Sequence, residues 1–208
     1  MVKNKMNNRM MNLLVGVITN DNKVSIQTHH SIISYFDIKD LHTTVMSLNS
    51  NGIDVMTDYN NLFTLFVTQS QYQYLLFLKG DHFVNVHHLI QMISSGKDLI
   101  YHPPLMINTK QVKEERSIVK SINVDFVSTL LSRKLAIDIA NYADRNHIVY
   151  SRDPNYKSGE ISEKDKVYNV FNSRVSDNNF ISGYMDFCQI VKSLKYEIYS
   201  CVDLKLMN

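Results

Sequence analysis

A chain of 208 residues with 22 basic and 20 acidic side chains and 44% apolar content makes one large folded domain or two small ones. Such a length buries about 70% of the surface an unfolded chain exposes, so stability requires neither disulfides nor a structural metal. A net charge of +2 argues against a protein that works chiefly by neutralising nucleic-acid phosphates. No apolar run approaches the ~18 residues of a membrane span.

The opening MVKNKMNNRMMN is basic, but the apolar stretch Leu13 to Ile18 is too short for a signal peptide. Leu13 to Thr19 reads as a strand, Asn20-Asp21-Asn22 as a turn, and Lys23 to Thr28 as a second strand, together a hairpin. Ile38, Leu41, Val45 and Leu48 then recur at helical spacing, with Asp37 placed to cap the start and Asn51-Gly52 to stop the end. Ile53 to Met56 and Leu62 to Thr68 read as strands, and Gln71 to Leu78 fits either a strand or a helix. Asp81 is placed to cap a helix over 82–95, with Phe83, Val86, Ile90 and Ile93 on its apolar face and Gly96 at its end.

His102-Pro103-Pro104 forces an extended or turning segment, and the charged run Lys110 to Lys120 follows. The expected division is an α+β unit over 1–109 and a mainly helical region over 110–208, packed together as one compact domain. The second region holds helices over about 124–144, 162–174 and 177–195, a loop over 151–160, and a final strand from Ile198. The fold class is therefore α+β: a mixed antiparallel sheet with two helices in the first half, and a mainly helical second half with a closing strand.

His42 and Thr44 spell H-x-T before an apolar residue, as in a catalytic strand of a two-histidine phosphoesterase. That chemistry needs two such strands, because one imidazole accepts a proton while the other donates one. The only other match is the formal one at His29-His30-Ser31, and the helical reading of 38–48 weighs further against it. His82, His87 and His88, with His102 nearby, are the candidate metal ligands, but spacings of five, six and one place no helical i, i+4 pair on one ion. No glycine-rich phosphate loop or other cofactor motif is present, so no cofactor is expected. Arg145, Tyr150, Arg152, Tyr156 and Lys157 mix basic and aromatic residues around one loop and form the candidate binding surface. Cys188 and Cys201 stand alone, as suits two packed thiols in a reducing compartment; a single disulfide between them is the alternative.

With 21 Asn, three Ala, and Lys outnumbering Arg 16 to 6, the codons point to an AT-rich genome: a virus, a phage, an organelle or a low-GC microbe. The leading expectation is a non-enzymatic, cytoplasmic protein (host cytoplasm if viral) that binds a macromolecular partner, either another protein or further copies of itself. A histidine-dependent phosphodiester hydrolase or nuclease and a weak nucleic-acid binder are the alternatives, and an organellar location is the alternative compartment.

Overall fold

The computed structural model describes residues 10–19, 23–49, 55–103, 117–122, 124, 126–176 and 179–202. In chain order they form β1 (Met11–Thr19), α1 (Ile26–Tyr35), β2 (Leu41–Asn49), α2 (Val55–Thr68), β3 (Tyr74–Lys79), α3 (Val86–Ser94) and β4 (Leu99–Tyr101). Next come β5 (Ser117–Ser121), β6 (Ser128–Ser132), α4 (Arg133–Arg145), β7 (Val149–Ser151), β8 (Lys166–Tyr168), β9 (Arg174–Ser176), β10 (Asn179–Ile181), α5 (Gly183–Ser193) and β11 (Ile198–Val202). The class is α+β, and the closing strand is present as β11.

One seven-stranded sheet runs β2-β1-β3-β6-β4-β11-β5 and takes strands from both halves of the chain. β1 pairs in parallel with both β2 and β3, β6 is antiparallel to β3 and β4, and β11 is parallel to β4 and antiparallel to β5. The first half thus differs in detail from the sequence reading: β1, β2 and β3 pair in parallel, and three helices accompany them.

Two segments change type. Residues 41–49, expected as a helix, are the strand β2. Asp37 closes α1, its amide donating to the Ser34 carbonyl at 3.4 Å, and Asp40 takes the left-handed conformation that launches the strand. Leu41 and Thr43 are buried with His42 exposed between them, and β-branched Thr43, Thr44 and Val45 favour extended backbone. Conversely, Leu62–Thr68, expected as a strand, belongs to α2. Its buried Tyr59, Leu62, Phe63 and Phe66 lie at the 3-1-3 spacing of a helix face. The expected hairpin is also replaced: Ser25 caps α1, accepting from the Thr28 amide at 3.1 Å, so residues 26–35 leave the sheet. In the second half, the helix expected over 124–144 is the strand β6 followed by α4, and the 162–174 helix is a short strand, β8, within irregular chain.

The chain moves one place along the sheet from β1 to β2 and two places back to β3. Right-handed crossovers therefore put α1 and α2 on opposite faces. Leu14, Ile18, Leu75, Phe77 and Leu131 face a core built with α2, α4 and α5, whereas Leu13, Val15, Val17, Leu76, Leu78 and Leu130 face one built with α1 and α3. Gly16 sets the depth of the first core: a Cβ there would lie 1.8 Å from Leu62 Cδ2, so only glycine lets α2 rest directly on β1. Arg133 anchors the far end of α2, its guanidinium donating to the carbonyls of Phe66, Val67 and Gln69 at 2.8–2.9 Å.

Candidate functional site

The chain leaves the carboxyl ends of β1 and β3 in opposite directions. The carboxyl ends of strands where the strand order reverses are where open α/β sheets hold ligands, although here α1 and α3, which follow the two strands, pack on the same face. Thr19 ends β1, and Lys79 ends β3 with Gly80, Asp81 and His82 following. The edge is tightly built. The Gly80 amide donates to the Ile18 carbonyl at 2.9 Å, and its own carbonyl accepts from the Ser25 amide at 2.7 Å. The Thr28 hydroxyl reaches the carbonyls of Gly80 at 3.1 Å and His82 at 2.5 Å. A Cβ at position 80 would meet Thr19 Cγ2 at 2.7 Å and the Lys23 carbonyl at 2.8 Å. The end of β3 and the start of α1 are thereby sewn together.

Three ionisable groups crown this edge. The Asp81 carboxylate lies 3.3 Å from Lys79 Nζ and 2.6 Å from His82 Nδ1. Partial burial alone would raise the Asp81 pKa, but the His82 hydrogen bond and the Lys79 charge outweigh it and hold the carboxyl below its usual value. Lys79 follows Phe77 by two residues, so its side chain leaves the sheet on the face of the α2 core.

On that same face a cleft of about 290 Å³ opens beside the first turns of α2. Thr57, Asn60, Tyr150, Asn169, Asn172 and Ser173 supply its polar lining, and Met56 and Phe171 its apolar part. Asn60 is buried and fixes the opposite wall: its Nδ2 donates to Asn169 Oδ1 and the Phe171 carbonyl, each at 3.0 Å, and its Oδ1 accepts from the Phe171 amide at 2.9 Å. Thr64 Oγ1 accepts from the Tyr168 amide at 3.0 Å one turn further along α2. Phe171 stacks on Phe187 at 4.6 Å between centroids and meets Phe77 at 5.7 Å, which joins the cleft wall to β3. No lysine, arginine, aspartate, glutamate or histidine lines this cleft among the described residues.

The residues singled out in the sequence scatter around this arrangement. Tyr150, on β7, lines the cleft. Arg152 is tied to α2, its Nη2 donating to Asn61 Oδ1 at 2.9 Å. Tyr156 donates to the Gly159 carbonyl at 2.5 Å within its own exposed loop, and Lys157 is exposed there. Arg145 ends α4, donates from Nε to the Asn141 carbonyl at 3.1 Å, and borders a different cavity with Asp138, Asp144 and Leu194. His42 and Thr44 share one face of β2, with His42 exposed. His87 is exposed on α3, while His88 and His102 are buried with ring centroids 4.3 Å apart. Among the described residues no group of three His, Cys, Asp or Glu side chains is placed to hold a metal ion. Cys188 and Cys201 form no disulfide and are buried in the cores on opposite faces of the sheet.

Sequence reasoning passed over Lys79 and Asp81 as a site and missed the asparagine-lined cleft. A signal existed for the first: four buried apolar residues, Leu75 to Leu78, running into Lys-Gly-Asp mark a central parallel strand and its carboxyl end.

No family model matches the chain, and no curated protein matches it. Among solved structures, it is similar to the crystal structure of A197 from STIV, with a TM-score of 0.47 and 12% identity over 91% of this chain and 81% of that one. A likeness of that degree carries no argument about function.

Proposed function

We propose that this chain binds a nucleotide joined to a neutral, hydroxyl-rich group, the chemistry of a nucleotide sugar, across the carboxyl edge of β1 and β3. The observation that carries the reading is the parallel β2-β1-β3 arrangement, a βαβαβ half of the kind that accepts mononucleotides at its switch point. Lys79 supplies a cation for phosphate at that edge, and Asp81 supplies a carboxylate that could share a magnesium ion with substrate phosphates. The cleft complements them. Its amides and hydroxyls match the hydroxyls of a sugar, and 290 Å³ sits at the small end of ligand pockets, right for a monosaccharide and too small for a whole nucleotide.

The test is thermal melting and calorimetry of the full chain with nucleoside mono- and diphosphates and nucleotide sugars, each with and without magnesium or manganese. A binder present at a hundred times its Kd stabilises the fold by about 2.7 kcal/mol, a readily seen shift in Tm. Lys79→Ala should weaken any nucleoside diphosphate, and Asn172→Ala should weaken only the sugar conjugates. Absence of binding across the whole panel overturns the reading. The second reading is the one drawn from sequence, a protein that engages a macromolecular partner. What favours it is the partly exposed Val45 on the edge strand β2, with Ile33 and Phe36 exposed at the C-terminal end of α1.

A further inference from the structure

The two edges of the large sheet are finished differently. β5 is a five-residue strand, and its Lys120 is ion-paired with Glu197, the residue just before β11. β2 is nine residues long, LHTTVMSLN, with no lysine, arginine, acid or proline. Its outer edge pairs with no other described strand. Exposed edges are ordinarily blunted by charge, proline, a bulge or shortness, and β2 shows none of the first two and is not short. Apolar side chains flank it. Val45 is 36% exposed and points, like Leu41 and Thr43, toward the α1 face. α1 packs on β2 there, with Thr43 Oγ1 donating to the Tyr35 carbonyl at 3.4 Å, and it presents Ile33 and Phe36, 52% and 57% exposed.

We propose that β2 is a homodimer interface, in which two copies pair β2 antiparallel about a two-fold axis at Val45 and extend the sheet across the pair. A second copy is the occupant that the charges favour. The pairing sets Val45 against Val45, Thr44 against Met46, Thr43 against Ser47 and His42 against Leu48, so no like charges meet. A foreign strand bearing acids or bases would find no counter-charge in 41–49. The same two-fold brings Ile33 and Phe36 of both copies to one side of the joint, which turns two small apolar patches into one covered seam. Nine strand residues give about 30 Å of pairing edge, to which the flank beside α1 adds Ile33 and Phe36. The inference is independent of the nucleotide reading and uses none of its residues.

The experiment is analytical ultracentrifugation of the full chain from 1 to 100 µM, beside Val45→Lys, Phe36→Lys and, as a control on the other edge, Val119→Lys. The wild type and the control should sediment as dimers. Val45→Lys, which sets two ammonium groups against each other, should raise the dimer Kd at least about 100-fold, with circular dichroism unchanged. Should Val45→Lys fail to fold, Phe36→Lys at the C-cap of α1 carries the same test. A monomeric wild type at 100 µM, or a dimer that withstands a folded lysine variant at the seam, overturns the proposal.

Discussion

The two faces of the sheet are filled with different side chains. The α2, α4 and α5 side is aromatic: Tyr59, Phe63, Phe66, Phe77, Phe126, Phe171 and Phe187 are all essentially inaccessible to solvent. The α1 and α3 side is aliphatic, with Leu13, Val15, Val17, Leu76, Leu78, Leu89 and Met92 around a single fully buried phenol, Tyr35. Aromatic rings contact one another in preferred edge and stacked geometries, so they fix the relative placement of the elements they join. Aliphatic and thioether side chains pack to similar density but accept more rearrangement. The polar cleft stands on the aromatic side, where its walls are held; the exposed apolar patch stands on the aliphatic side.

The largest test of this contrast is Phe126→Ala. Its ring touches Tyr59, Phe77, Phe171, Tyr184 and Phe187 at centroid distances of 5.0–5.9 Å. Its removal should cost about 3–5 kcal/mol in urea unfolding. Met92→Leu on the other face, which conserves volume, should cost less than about 1.5 kcal/mol. Equal effects would dissolve the distinction.

Gly16→Ala comes next. The added methyl cannot share space with Leu62, so overpacking should cost about 1–3 kcal/mol. Pairing it with Leu62→Ala should recover part of that loss, and a double mutant whose deficits simply add would show that α2 does not bear on that point.

Asn60→Ala strips the amide and carbonyl of Phe171 of their partner in a buried wall and should cost about 1–3 kcal/mol. It should also weaken any cleft ligand. Tyr35→Phe on the aliphatic face frees only the Val84 carbonyl, so it should cost less and leave ligand binding unchanged.

The smallest effects are in pH. Burial pushes the Tyr35 phenol above its ordinary value, and burial together with the Asp138 carboxylate pushes Tyr196 up to about 12. Both protons are held more firmly in the folded protein than in the unfolded chain. Their contribution is therefore whole below the free phenol pKa and drains away as pH rises through it toward 12. Tyr196→Phe should flatten the alkaline limb of a stability profile, and a limb left unchanged would remove Tyr196 as its source. Asp81 has the opposite sign: its lowered pKa favours the fold above the free carboxyl range and is lost as acid protonates it. At 63% exposure its ion pairs should contribute below about 1 kcal/mol.

What the sequence disclosed follows from how local each signal is. The strand at Leu13 to Thr19, the helix after Asp81 and the closing strand from Ile198 are all present, because an unbroken β-rich run, an apolar helix face and an alternating pattern are short-range features. The α3 cap falls at Asn85, later than Asp81, since both residue types offer the same side-chain acceptor. The partners of β1 were not legible. Val24 and Ile26 follow closely enough to suggest a hairpin, while the real neighbours, β2 and β3, begin at Leu41 and Tyr74. The spacing of Ile38, Leu41, Val45 and Leu48 fits a helix by coincidence, for in β2 Leu41 and Val45 lie on one face of the sheet and Leu48 on the other. The cleft was least visible. Asn60 meets Asn169 and Phe171 across 109 and 111 residues, and no motif spans such a gap.

The strand order also dictates when the sheet can be completed during synthesis. β3 and β4 emerge early, yet β6, the strand that separates them, ends at Ser132, and β11, which fills the place between β4 and β5, ends at Val202. A nascent chain therefore carries unfilled central positions until Val202 has been made. Translation that stalls between those two points leaves a gap at the heart of the sheet, which makes such fragments natural clients for chaperones.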